Sequence, residues 1–176
     1  MDVQTQPLGP EDDHFEIKIS EQFAFLARNA LNIRRAVQTF TEIKDSKDWG
    51  RHPKFLANNR VFDQWPEALP GHLQLSLPTD GQPPQIPSHF VANLHSYYHL
   101  ARIMLQRPQL MAYKSLDAEN STWKQHMLSC YNSAKVLCRL QEAILQRYGL
   151  PGLLCMQRGI NFTIYAVLTC IMLHLV

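Results

Sequence analysis

The residues of this 176-residue chain best placed for chemistry are His95 and His99, within HSYYHLARIMLQRP, residues 95–108. Four residues apart on a helix, two imidazoles share one face, which is how many helical metal sites begin. A divalent cation needs at least a third ligand, usually a carboxylate, a cysteine or another histidine. The next residue on that side is Arg102, a fixed cation that donates hydrogen bonds and cannot ligate. No Asp or Glu occurs between Asp80 and Asp117. On a helical wheel Phe90, Val91, Leu94, Tyr97, Tyr98, Ala101, Met104 and Leu105 make one apolar face, and both histidines fall outside it beside Arg102 and Gln106. They read as outward-facing residues of a structural helix, replaceable by alanine without unfolding it, and no metal ligand is assigned. No nucleophile elbow or glycine-rich phosphate loop appears either, so the chain is read as carrying no catalytic or cofactor-binding residue and as no enzyme.

Cys130, Cys138, Cys155 and Cys170 show no C-x2-C spacing, and all lie in apolar helical surroundings. They are expected to be reduced, buried and structural, as in an intracellular protein. The leading residues MDVQTQPLGPEDD are polar and acidic, unlike a signal peptide. Hydrophobic residues at 45% suit a globular domain, and 17 basic against 15 acidic residues give a net charge of only +2. Arg34, Arg35, Lys44 and Lys47 are interrupted or followed by Glu42, Asp45 and Asp48. Without a concentrated basic face, direct nucleic-acid contact by this segment is not expected.

The elements that position these residues read as helices throughout. Residues 1–13 are expected as a disordered lead-in, and 14–176 as one domain. Ser20 is an expected N-cap for a helix whose apolar seam is Phe23, Leu26, Ala30, Ile33, Val37 and Phe40. A second helix over 53–65 starts at Pro53, with Phe55, Leu56, Phe62 and Trp65 apolar. Six of the eleven prolines lie from Pro66 to Pro87, so an irregular connection is expected there, anchored by Leu69, Leu73, Leu75 and Leu77. The alternation HLQLSL, residues 72–77, is flanked by prolines that argue against a sheet. Ser88 caps the third helix, which runs to about Arg107 and stops at Pro108. Asn120 or Ser121 caps a fourth over 122–148, carrying Met127, Tyr131, Ala134, Leu137 or Cys138, Leu140 or Gln141, Ile144 and Tyr148. Gly149 and Pro151 end it. The class is all-α, an irregular domain of about five helices.

From about Pro151 the chain is helical again and apolar on every side, with no side chain charged at neutral pH after Arg158 except for His174. Asn161, Thr163, Thr169 and His174 dilute a stretch already short for a membrane span. It is expected to be a central core helix, for which the remaining residues supply too few covering partners. A tail-anchored adaptor using 159–176 is the alternative.

The order of these signals resembles the fungal-specific transcription factor domain, the middle homology region of fungal zinc-cluster regulators. Trp65, Leu69, Pro70 and Leu73 form a W…LP..L stretch. A proline-rich connection follows, and then HFVANLHSYYHLARIMLQRPQL, residues 89–110, with His95, Tyr98, Leu105, Arg107 and Pro108. The resemblance runs from about Ser20 to Val176. It implies a nuclear, non-catalytic regulatory module that engages protein partners and sometimes an apolar small-molecule effector. The family's six-cysteine, two-zinc cluster is absent from this sequence, so neither zinc nor DNA binding carries over to any residue. The resemblance also implies that the chain covers only the N-terminal portion of such a domain.

Overall fold

The computed structural model describes residues 10–43, 49–106, 121–155 and 159–174. Among them are five helices and no strand: α1 (Pro10–Ile43), α2 (Pro53–Gln64), α3 (His89–Gln106), α4 (Ser121–Leu154) and α5 (Ile160–His174). The all-α class is as the sequence indicates. α1 packs on α2 and α3, α3 on α4, and α4 on α5, so the helices run in series around α3.

α3 is the central helix, with 13 of its 18 residues buried. One side meets α4 and α5 through Tyr97, Leu100 and Ile103 against Leu137, Ile144 and Phe162. The opposite side meets α1 and α2 through Tyr98, Ala101 and Leu105 against Ala36, Phe55 and Phe62. Between them the connection presses Leu69 and Leu73 onto Val91 and Leu94. Ser88 caps the helix as expected, its Oγ accepting from the Val91 N–H at 3.2 Å. Arg107 and Pro108 lie outside the described residues.

The largest departure is α1. It begins at Pro10, so the expected cap Ser20 is internal and Pro10 to Asp13 are helical rather than lead-in. A proline suits a helix start because its missing N–H would be unpaired there in any case. The predicted seam is not the buried face: Phe23 is 70% exposed, and Ala30, Val37 and Phe40 are exposed as well. The inner face is Asn29, Asn32, Ala36, Thr39 and Ile43. Two of its polar side chains have partners on other helices: Asn29 Nδ2 donates to Leu94 O at 2.8 Å, and Asn58 donates to Thr39 Oγ1. Paired amides survive burial there, and apolarity alone misplaces the face.

α2 starts at Pro53 as expected, with the His52 ring accepting from the Lys54 N–H. Phe55 and Phe62 are buried, whereas Leu56 is exposed. The connection from Pro66 to Pro87 has no strand and only a short 3-10 turn at Gly71–Leu73. Leu77 is exposed, so it is not an anchor. Proline-rich backbone leaves carbonyls without ladder partners, and arginines from α4 supply them. Arg139 donates to Pro78 O and Gln82 O at 2.8 Å, and Arg147 donates to Ile86 O.

In α4 the inner face is Cys130, Ala134, Leu137, Gln141 and Ile144, while the predicted core residues Met127 and Tyr131 are exposed. Gly149, at φ 66°, breaks the helix where the sequence placed its stop, and Pro151 restarts a single turn. Gly159, at φ 60°, then sets the start of α5, so the last helix begins at Ile160 rather than at Pro151.

α5 is an edge helix, not the central one. Phe162, Ala166 and Cys170 join the core, but Ile164, Val167, Leu168, Ile171 and Met172 remain exposed. No helix among the described residues is long and apolar enough to cross a membrane.

Candidate functional site

Site chemistry in this chain centres on the helix that carries His95 and His99. Neither ring faces outward as expected. His95 is 5% exposed, with the connection over one side. Its Nε2–H donates to Leu73 O at 2.8 Å, and the Trp65 and His95 rings meet in a T-shaped contact with centres 5.5 Å apart. Burial lowers its pKa, outweighing the opposing effect of that backbone bond. His95 is therefore a buried, hydrogen-bonded residue rather than an outward-facing one, and alanine there removes that bond and its packing.

His99 sits one turn on, partly exposed as a residue, but its Nδ1 is sealed and without a partner. Burial, then the nearby His95 and Arg102, hold its pKa down to about 3. Protonation would place a cation in low-dielectric surroundings beside an existing one, which is why the neutral ring is preferred.

Arg102 is the hub of the polar side. Its Nη2 lies 2.8 Å from Asp63 Oδ1, its Nη1 donates to Tyr98 OH at 2.9 Å, and its Nε donates to Ser129 Oγ at 3.2 Å. Tyr98 OH in turn donates to Phe62 O at 2.8 Å, a carbonyl near the α2 C-terminus. Burial raises the Tyr98 pKa, so the phenol stays a donor. The carboxylate absent from residues 81–116 thus arrives from α2, but it is taken up by Arg102 rather than by an imidazole. Asp63 also accepts from Asn59 Nδ2, and Asn59 Oδ1 accepts from Gln106 Nε2 at 2.7 Å.

Beside this network a cavity of about 330 Å³ opens between α3 and α4, lined by His99, Arg102, Gln125, Leu128 and Asn132 among others. This is the lower end of the size at which small ligands are held. Its lining offers amide, hydroxyl and guanidinium groups with two aliphatic walls, Leu128 and Val136. Among the described residues, no three His, Cys, Asp or Glu side chains converge as a metal site would require.

The aromatic arrangement joins the two signature segments. Trp65 stacks on Tyr98 with ring centres 4.5 Å apart and planes 11° from parallel, and Phe62 stacks on the same tyrosine at 6.1 Å. Trp65, Leu69 and Leu73 on one segment and His95 and Tyr98 on the other form a single packed unit. Sequence reasoning missed Asp63, Gln106 and Asn29 as parts of this structure. Their partners lie on other helices, and no spacing within one helix signals them.

Among the described residues, α1 and α5 each present exposed apolar side chains on one face: Ile19, Phe23, Ala30 and Val37 on α1, and Ile164, Leu168, Ile171 and Met172 on α5. The outer face of α5 carries no charge, so it presents the properties of an interface core rather than of a solvated helix. The cysteines split as well: Cys130 and Cys170 are buried, whereas Cys138 and Cys155, expected inside, are exposed. Comparison of the chain with protein-family models, with curated proteins and with solved structures gave no match.

Proposed function

We propose that this chain is a regulatory and interaction domain of a fungal RNA polymerase II transcription regulator. It acts in the nucleus, without catalysis, by modulating an attached or partner DNA-binding module. The observation that carries the reading is the junction of the two signature segments, in which Trp65 lies flat on Tyr98 and His95 bonds Leu73 O. Five residues of that resemblance, Trp65, Leu69, Leu73, His95 and Tyr98, are among those that join α2, the connection and α3. The exposed apolar faces of α1 and α5 support a protein-binding role, since exposed patches of this kind mark contact surfaces.

The test is a reporter assay in yeast, with the 176-residue chain fused to a heterologous DNA-binding module. The fusion should change reporter output several-fold relative to the module alone. Ile164→Asp with Leu168→Asp should abolish that change while helical content and melting temperature are kept. Output indistinguishable from the module alone sinks the reading. Partition of the chain into carbonate-resistant membranes would favour the tail-anchored adaptor instead.

A further inference from the structure

One pair of groups plays no part in that reading: Cys138 on α4 and Cys170 on α5. Cys170 is 3% exposed, and its Sγ lies 3.5 Å from Ala134 O. In an α-helix the carbonyl of residue 134 is the acceptor for the N–H of residue 138, so this contact sets the Cys170 sulfur beside the turn that bears Cys138. The two thiols are in hydrogen-bonding contact, and that contact, together with burial, holds Cys170 protonated. Neither sulfur is in a disulfide, and they differ in access: Cys138 is exposed while Cys170 is sealed in the core. Cys130 is engaged elsewhere, its Sγ on Ile103 O at 3.9 Å.

We propose that Cys138 and Cys170 are an oxidative modification site, a dithiol that closes to an intramolecular disulfide and staples α5 to α4. The oxidant class is a hydroperoxide. It reaches the exposed sulfur first: Cys138–SH and H2O2 give Cys138–SOH and water, the peroxide O–O bond breaking as sulfur is oxidised. The Cys170 sulfur then attacks the sulfenic sulfur and the S–O bond breaks. The leaving hydroxyl takes the Cys170 proton as a second water, so no free thiolate is released into the core. Two thiols and one peroxide become one disulfide and two waters. The protonated state of Cys170 makes the second step the slower one, because a thiol is a weaker nucleophile than its thiolate.

The staple spans the break at Gly149 and Gly159, so it fixes the segment whose outer face is the apolar surface of α5. Closing a loop of this length raises the melting temperature by about 5–10 °C. The experiment treats the chain with equimolar hydrogen peroxide and reads non-reducing intact mass, peptide mapping and thermal melting. Expected are the loss of two hydrogens, a cross-linked peptide pair carrying Cys138 and Cys170, and a melting shift reversed by dithiothreitol. Cys138→Ser, a change at an exposed position, should fold normally and show neither the mass loss nor the shift. Cys170→Ser should leave a sulfenic acid on Cys138 that dimedone traps. Over-oxidation of Cys138 without a cross-link, a disulfide through Cys155, or covalent dimers through Cys138 would each overturn the proposal.

Discussion

Lowering pH from 7 to 5 should destabilise this protein through its buried histidines, and His99 should carry a measurable share. Its folded-state pKa is held at about 3, against the ordinary 6.5. The folded state therefore keeps His99 neutral, while the unfolded chain binds a proton below about pH 6.5. Unfolding then takes up a proton, and stability present above pH 6.5 is lost as pH falls toward 3. Across that whole window the loss approaches about 5 kcal/mol, and at pH 5 it is about 2 kcal/mol. A domain of this size has only about 5–15 kcal/mol in total, so the effect is large. His95 and His126 also have lowered pKa values and push in the same direction. Between pH 7 and 5 carboxylates ordinarily stay ionised, which leaves the histidines to dominate that interval.

The assay is urea unfolding at pH 7, 6 and 5, extrapolated to water. Wild type should lose at least about 2 kcal/mol between the extremes. His99→Gln keeps a polar side chain but cannot titrate, so its loss over the same interval should be smaller by about 2 kcal/mol, whatever its stability at pH 7. Equal pH dependence in both proteins would refute the argument. It would mean that the sealed Nδ1 gains a partner or water on protonation.

Tyr98→Phe keeps the ring stacked on Trp65 but removes the donor to Phe62 O and the acceptor for Arg102, and should cost about 1–3 kcal/mol by chemical denaturation. Gly152→Ala would set a methyl group 2.6 Å from Tyr148 Cβ and 3.1 Å from Ile144 Cγ2. A fall in stability of about 1–3 kcal/mol is expected, read as a lower melting temperature. Arg139→Gln should release the connection near Pro78 and Gln82, seen as faster limited proteolysis within 74–86 while the helices stay protected.

Helix type and the punctuation by Pro53, Ser88 and Gly149 were legible because each is a local effect of backbone chemistry. Which face each helix buries was less so. The α1 seam of Phe23, Val37 and Phe40 is a genuine stripe, yet Asn29 and Thr39 face inward because α3 and α2 supply their partners. His95 looked solvent-facing because a wheel sees one neighbour, whereas α3 is covered from several directions. The same limit hid the Arg102–Asp63 pair, formed across 39 positions of sequence by residues with no motif in common. It also misassigned the centre, since the most apolar helix lies at the edge and the polar-studded α3 lies inside.

A central helix studded with paired polar groups has a consequence for how this chain tolerates change. Asn29 meets Leu94 O, His95 meets Leu73 O, Gln141 Nε2 meets Ser96 Oγ and Gln106 meets Asn59. Sliding α3 by one turn, about 5.4 Å, would keep greasy surfaces in contact but orphan all four at once. The bundle is therefore keyed to one axial alignment. Deleting a single residue inside α3 should be worse than most substitutions there.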